Sequence, residues 1–332
     1  MNQEEYAVMR QFSVSARLQV LPILLLLSAL LMAGLASADG LPAVESGRIE
    51  RLEFAPAGLA ARKVDVWLPA GYPKDAPYAT LYMHDGQMLF DAGTTWNGQA
   101  WEVERTAGPL IASGALRPFI VVGIWNAGEH RYRDYLPQRV FEAMPEDARA
   151  RWRAAEREPG QPLFAGPPAA DAYVRFLVGE LREAIESRYA VSRASQDRFL
   201  MGSSMGGLIS LYALLERPRH FGGAAALSTH WPGSFDPKDD SFAQVMRAYL
   251  RERLPILDRQ RIWMDHGTET LDALYPPLQR EVDLVFQASP LPPTQWQSRE
   301  YPGTNHSEQA WAARLADPLR FLLAPDKKLG GP

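Results

Sequence analysis

A serine flanked by glycines follows a short apolar segment near the middle of the chain. Residues 198–207 read Arg-Phe-Leu-Met-Gly-Ser-Ser-Met-Gly-Gly, so Gly202 and Gly206 stand two positions on either side of Ser204. A tight strand-to-helix turn strains the serine backbone, and the glycines allow strand and helix to approach closely. With 25 glycines in 332 residues the motif alone is weak. The apolar strand before it and the leucine-rich helix after it predict that Ser204 is a nucleophile.

A nucleophilic serine needs a base and an acid later in the chain. Its hydroxyl reacts at neutral pH only when a histidine takes the proton, and an acid must hold that histidine. His306 lies after the last predicted strand and before the closing helix, where the base belongs. Asp272 and Glu269 both follow the preceding strand. We prefer Asp272 as the acid and keep Glu269 as the alternative; either could instead cap a helix.

The oxyanion of the tetrahedral intermediate must face two backbone N–H groups. One belongs to the residue after the nucleophile, Met205, and the other should come from the loop after the strand at 78–83. In that loop, Gly86 permits a turn that would aim the N–H of Gln87 into the site. Residues near the predicted carboxyl ends of other strands are expected to line the substrate pocket: Trp125, Asn126, Arg131, Arg133, Tyr135, His230 and Trp231.

The elements that must position these residues alternate between strands and helices. Half-exposed segments at 48–54 and 61–68 predict an N-terminal antiparallel hairpin at a sheet edge. The later pattern implies an α/β fold, a mainly parallel sheet with helices on both faces. The predicted strands are 78–83, 119–124, 199–201, 223–227, 261–264 and 295–301, and the predicted helices are 100–113, 173–189, 206–216, 242–254, 277–288 and 308–323.

One segment interrupts this alternation within the single domain that we predict over residues 39–332. Residues 138–168 combine a charged stretch with Pro-Gly and Gly-Pro-Pro sequences. The segment is either a solvated surface insertion or a lid over the pocket, because it leaves the carboxyl edge of the sheet.

The first 38 residues form a separate segment. Arg10 and Arg17 precede the apolar run Leu21–Leu35, and Ala36-Ser37-Ala38 supplies the small residues that a signal peptidase reads. The run holds 15 residues, fewer than the roughly 20 that a bilayer span requires. We therefore predict a signal peptide cleaved before Asp39, no stable membrane anchor, and a periplasmic or secreted protein.

The composition argues against several other classes. The chain has no cysteine, which excludes disulfides and thiolate catalysis. A net charge of −4 without a basic run gives no indication of nucleic-acid binding. No metal-ligand spacing such as His-Glu-x-x-His occurs, so we predict no metal and no cofactor.

Five segments, in order, resemble the putative-esterase family of α/β-hydrolases. That family includes esterase D, enterochelin esterases, feruloyl esterases and mycolyltransferases. The resemblance runs from about Arg48 to Leu323 and is carried by residues 82–91, 122–126, 133–137, 202–207 and 303–308. It implies an α/β-hydrolase fold with nucleophile, base and oxyanion donors at Ser204, His306, Gln87 and Met205.

The resemblance has one departure, at the acid. Relatives often carry it three residues after the glycine that matches Gly267, and this chain has Thr270 there. The choice between Glu269 and Asp272 therefore stays open, and some enterochelin esterases work as a Ser–His dyad.

These residues together predict an exported serine carboxylesterase that acts through an acyl-enzyme on a small-molecule or saccharide ester. A short-acyl, aryl or siderophore-type ester is expected, because a long acyl chain needs a continuous apolar groove and residues 138–168 are charged. Arg131 and Arg133 would suit an anionic ester unless they pair with Glu129 and Asp134. An acyltransferase with the same residues, or a non-catalytic binding or scaffold protein, is the alternative.

Overall fold

Strands and helices alternate along the chain, as the sequence pattern indicates. The computed structural model describes residues 40–158, 160–234, 236 and 239–325, and the predicted signal peptide lies outside them. Its strands are β1 (Arg48–Phe54), β2 (Arg62–Leu68), β3 (Ala79–His84), β4 (Phe119–Ile124), β5 (Glu156–Glu158), β6 (Gln161–Pro162), β7 (Arg198–Ser203), β8 (Gly223–Leu227), β9 (Arg261–His266) and β10 (Trp296–Glu300). Its helices are α1 (Val103–Ala112), α2 (Arg131–Tyr135), α3 (Gln138–Glu142), α4 (Glu146–Ala154), α5 (Ala170–Phe176), α6 (Arg182–Arg188), α7 (Met205–Glu216), α8 (Ser241–Arg253), α9 (Tyr275–Gln287), α10 (Glu308–Arg314) and α11 (Ala316–Leu323).

Eight of the described strands form one mixed sheet in the order β1-β2-β4-β3-β7-β8-β9-β10. The first two strands pair antiparallel, as do β2 and β4, whereas every later pairing is parallel. The predicted α/β-hydrolase fold class and its N-terminal antiparallel hairpin are thus confirmed. Among the described residues, no helix is long and apolar enough to cross a membrane.

The central strands β3, β4, β7 and β8 are buried along their whole length. Side chains alternate between the two faces of a strand. Accordingly, Leu81 and Phe199 join an apolar cluster on one face of the sheet, and Tyr82 and Leu200 join a second cluster on the other. Helices cover both faces, which explains why these strands read as nearly continuous apolar runs.

Two predicted helices are each divided in the structure. The helix expected at 173–189 is interrupted by a π-helical turn, Leu177–Leu181, in which Gly179 has non-helical backbone angles. The closing helix divides at Leu315 into α10 and α11. Pro318 lies in the first turn of α11, where its missing N–H would leave the carbonyl of Arg314 without a donor in a continuous helix.

The segment 138–168 contains α3, α4 and the small β5–β6 hairpin. Trp152 on α4 is buried and stacks on Phe242 of α8 with ring centroids 5.6 Å apart, and its indole N–H donates to Asp239. An apolar face therefore anchors the segment to the body of the domain.

Candidate active site

Ser204 occupies the turn between β7 and α7. Its backbone angles are φ 56° and ψ −122°, a strained conformation for a residue with a side chain. A β-carbon at Gly202 would lie 2.7 Å from the carbonyl carbon of Gly206, so the turn tolerates only glycine at position 202. The turn presents Ser204 to a cleft of about 1230 Å³ that His306 also lines.

His306 is held by a buried carboxylate. Its Nδ1 lies 2.5 Å from Oδ1 of Asp272. The other oxygen of Asp272 accepts from the Ser228 hydroxyl and from the Gly267 N–H, each at 2.6 Å. Burial raises the pKa of Asp272, but these hydrogen bonds, led by that of His306, outweigh it and hold the pKa below its usual value. The carboxylate therefore stays ionised beside the imidazole.

Of the two candidate acids, the structure brings Asp272 and not Glu269 to the histidine. Glu269 is exposed just before the 3₁₀ turn Thr270–Leu274, and that turn directs Asp272 inward. Thr270 stands at the position where relatives often carry the acid. Its hydroxyl accepts a hydrogen bond of 2.9 Å from the His306 N–H, so it holds the backbone of the histidine loop.

Aromatic rings fix the orientation of the imidazole. The rings of Trp311 and Tyr275 pack edge-on against His306 at centroid distances of 5.0 and 5.9 Å. The Tyr275 hydroxyl lies 3.0 Å from Nδ1 of His230. Nδ1 of His306 faces Asp272, so Nε2 is the nitrogen available to a serine proton.

The N–H of Gln87 lies in the short 3₁₀ helix Gly86–Met88, and the N–H of Met205 lies at the start of α7. The first N–H groups of a helix have no acceptor within that helix. Among the described residues, no carbonyl or side chain accepts from either group. The Gln87 side chain accepts instead from the N–H of Asn126 at 3.2 Å. Both N–H groups are therefore available to a developing oxyanion.

An ion pair fixes the loop that carries Gln87. Asp85 has φ 58° and accepts two hydrogen bonds of 2.7 Å from the Arg131 guanidinium. Its Oδ1 also accepts from the side-chain amide of Asn126 at 2.7 Å. Burial raises the pKa of Asp85, but the contacts with Arg131 and Asn126 lower it by more, so the net pKa is below the usual value.

A family model described as Putative esterase matches residues 60–322 of this chain. The chain belongs to the putative esterase family. It is 26% identical over 172 residues to the uncharacterized protein YbbA of Bacillus subtilis (strain 168), a match that covers 51% of this chain and 58% of YbbA. This esterase-family chain thus spans less than two thirds of that relative.

Solved structures that share the fold include an enterobactin esterase and a serine hydrolase. The enterobactin esterase FES from Shigella flexneri superposes with a TM-score of 0.59 at 16% identity, covering 85% of this chain and 60% of FES. The IroE-like serine hydrolase from Shewanella oneidensis superposes with a TM-score of 0.60 at 19% identity, covering 83% and 80% of the two chains. At these identities the likeness concerns the fold.

Of the seven residues that the sequence predicts to line the substrate pocket, the structure places Asn126 and Arg131 on the cleft and buries Tyr135. Trp125 points to the other side, where its indole N–H donates to Asp65 and its ring lies under Arg51. Successive residues after a strand point to opposite faces, so Trp125 and Asn126 cannot both face the cleft.

The prediction for Arg133 is corrected by helix geometry. Residues two apart on a helix point in nearly opposite directions, so Arg131 lines the cleft whereas Arg133 faces the carbonyls of Ala165 and Gly58.

The predictions for His230 and Trp231 are corrected by burial. His230 donates its backbone N–H to the Ser204 carbonyl, and the Trp231 indole donates to Gln279. Both support the site from below its surface.

Some functional candidates were not predicted from the sequence. Ser228, with φ 41°, donates to Asp272 and accepts from the Trp311 indole and from Arg314. Its place directly after β8, at the carboxyl edge of the sheet, is the signal that could have identified it. Trp96, exposed on the cleft, carried no such signal.

Replacing Arg131 by alanine is expected to lower kcat by about 10- to 100-fold, because the loop that carries the Gln87 N–H loses its anchor. It should also destabilise the fold by about 3–5 kcal/mol, because Asp85 would be left as a buried unpaired charge. Steady-state kinetics and chemical denaturation measure the two effects. In the double variant with Asp85→Asn, stability should recover in part while kcat stays low; recovery of both would contradict the loop-anchoring role.

Stability should fall as the pH drops below 6.5. Burial lowers the pKa of His84 and of His230 from 6.5 to about 3. Between these pH values the unfolded chain binds protons that the folded chain does not, so each histidine removes up to about 1.4 kcal/mol of unfolding free energy per pH unit. Chemical denaturation at pH 7, 6 and 5 measures the free energy of unfolding, and its fall with pH should be smaller in His84→Gln. An equal free energy of unfolding at pH 7 and pH 5 would contradict this prediction.

Proposed function

We propose that this protein is a serine carboxylester hydrolase that acts through an acyl-enzyme. One observation carries the proposal: the buried Asp272 holds His306 at 2.5 Å on the cleft that the strained Ser204 also lines. Geometry of this kind activates a serine hydroxyl and has little use in a binding protein. Family membership supports ester hydrolysis as the reaction class.

In the first half of the reaction, the Ser204 oxygen bonds to the ester carbonyl carbon and its proton passes to Nε2 of His306. The carbonyl oxygen becomes an oxyanion that the N–H groups of Gln87 and Met205 stabilise. Collapse of the intermediate breaks the bond to the alcohol oxygen, which takes the proton from His306. Asp272 stabilises the imidazolium and remains ionised.

In the second half, water attacks the acyl-enzyme and gives a proton to His306. The carbon–oxygen bond to Ser204 then breaks, and the proton returns to the serine. The products are the free acid and the regenerated enzyme. A water molecule is consumed, and no cofactor is required.

A fluorophosphonate probe tests the nucleophile directly, because it reacts only with an activated serine. We expect labelling of the wild-type protein and peptide mapping of the adduct to Ser204. Ser203 lines the same cleft and provides the matched control. Ser203→Ala should still be labelled and Ser204→Ala should not; labelling that persists in Ser204→Ala would remove that residue from the mechanism.

The substrate proposed here is a short-acyl or aryl ester. The lining of the cleft mixes apolar residues with polar ones such as Asn97, Gln161 and Asn126, whereas a long acyl chain needs a continuous apolar groove. We expect kcat/KM on p-nitrophenyl esters to fall from acetate to palmitate by at least tenfold. A steady rise with chain length would favour a lipase instead.

Export is proposed from the N-terminal segment, in which basic residues, an apolar run and Ala36-Ser37-Ala38 follow in signal-peptide order. Expression of the full chain in a bacterium, followed by N-terminal sequencing of the periplasmic fraction, should give a mature protein that begins at Asp39. Full-length protein in the cytoplasm would contradict this proposal.

A further inference from the structure

The cleft is lined by a hydrogen-bonded polar cluster and by an exposed aromatic residue. In the cluster, Asp85, Arg131 and Asn126 are joined by short hydrogen bonds. Trp96 also lines the cleft and is 84% exposed, more than any other large apolar residue described. An exposed indole beside a polar cleft gains free energy when a ligand ring covers it.

The indole stands beside an oriented amide–carboxylate pair. The side-chain amide of Asn97 donates to Oε2 of Glu308 at 2.9 Å, and its oxygen accepts from the Gln99 N–H at 3.0 Å. Glu308 is the first residue of α10, two positions after His306. The pair therefore joins the loop of Trp96 to the loop of the histidine, which fixes the aromatic surface relative to the reacting centre.

Charge on the cleft favours a neutral ligand. The described residues that line it include three carboxylates, Asp85, Glu129 and Glu308, and a single guanidinium, Arg131. That guanidinium is already bound by both oxygens of Asp85. An anionic ester would meet the carboxylate of Glu308 without a free cation to balance it.

We propose that Trp96, Asn97 and Glu308 form a saccharide subsite, and that the ester recognised is an O-acylated neutral sugar. The ring would stack on Trp96, and its hydroxyls would donate to the Glu308 carboxylate, an ionised acceptor that makes strong hydrogen bonds. A plain aryl ring uses only the indole, and a catecholate or uronate is repelled by Glu308. This inference rests on the proposed ester hydrolysis and adds its substrate class.

The first test measures binding without catalysis. In the Ser204→Ala background, O-acetylated cellotetraose is titrated by calorimetry, and the same sugar bearing a terminal uronate is the comparison. We expect the neutral sugar to bind at least tenfold more tightly. Adding Trp96→Ala should weaken that binding by at least tenfold. Adding Glu308→Gln should reduce the difference in binding affinity between the neutral sugar and the uronate sugar.

The second test uses turnover and separates this inference from the proposed function. We expect Trp96→Ala to lower the ratio of kcat/KM for acetylated cellotetraose to that for p-nitrophenyl acetate by at least tenfold, mainly through KM. Leu284→Ala is the matched control, since Leu284 is 63% exposed on α9 and does not line the cleft. It should leave the ratio unchanged.

The outcomes are distinct. Ser204-dependent hydrolysis of p-nitrophenyl acetate without any effect of Trp96→Ala on sugar binding or on the ratio would overturn the subsite and leave the esterase proposal standing. Trp96-dependent sugar binding without Ser204-dependent hydrolysis would support the subsite and overturn the esterase. Equal binding of the neutral and uronate sugars would refute the role of Glu308.

Discussion

Replacing Ser204 by alanine is expected to lower kcat for ester hydrolysis by about 10⁵- to 10⁶-fold. The reason is that the acyl-enzyme bond forms through the Ser204 oxygen, so without it only oxyanion stabilisation and substrate binding remain. Substrate affinity should change little, because the missing hydroxyl is a small part of the surface that contacts the ester. Pre-steady-state kinetics with p-nitrophenyl acetate should show a burst in the wild type and none in the variant.

The fold of Ser204→Ala should be intact. Alanine has the same β-carbon as serine, so the strain at φ 56° is retained rather than relieved. The free energy of unfolding should stay within about 0.5 kcal/mol of the wild type. Residual activity above one part in a thousand, with contaminating esterase excluded by active-site titration, would contradict the assignment of the nucleophile.

Replacing Asp272 by asparagine should lower kcat by about 10³- to 10⁴-fold. The hydrogen bonds of the carboxylate dictate how the amide must sit. Oδ2 accepts from the Gly267 N–H, which can only donate, and from the Ser228 hydroxyl. The asparagine oxygen is therefore held at that position, and its NH₂ group must face Nδ1 of His306.

That orientation selects the unproductive histidine tautomer. An NH₂ group opposite Nδ1 requires Nδ1 to be the acceptor, which places the imidazole proton on Nε2. A protonated Nε2 cannot take the proton of Ser204. The variant should thus fold and bind ester with KM within about threefold of the wild type while turnover is lost.

Glu269→Gln is the matched control for this substitution, because Glu269 lies in the same loop and is exposed. We expect its kcat to stay within about twofold of the wild type. If Asp272→Asn instead kept more than a tenth of the activity, His306 would work without its acid, as a dyad. If Glu269→Gln lost activity as well, the loop would have to rearrange when substrate binds.

Much of the fold could be predicted because its signals are local. Alternating apolar and polar residues identify the β1–β2 hairpin, although β2 itself is almost wholly buried, and continuous apolar runs identify the covered parallel strands. The glycine spacing around Ser204 reflects a steric requirement of a single turn, so it can be read without knowing the rest of the chain. The division of two predicted helices was not foreseen, because a π-helical turn and a proline in a first turn change the spacing of apolar residues only slightly.

By itself, the sequence determined the sheet, its helices and the turn that carries Ser204. The spacing of apolar residues and the steric need for glycine in that turn both depend only on near neighbours in the chain. Only the tertiary structure decided which acid reaches His306, since a 3₁₀ turn rotates Asp272 inward and leaves Glu269 in solvent. It also decided that Arg131 is bound by Asp85 and that Trp125 faces away from the cleft. Side-chain direction at a loop depends on partners 30 or more residues away, and no local pattern records them.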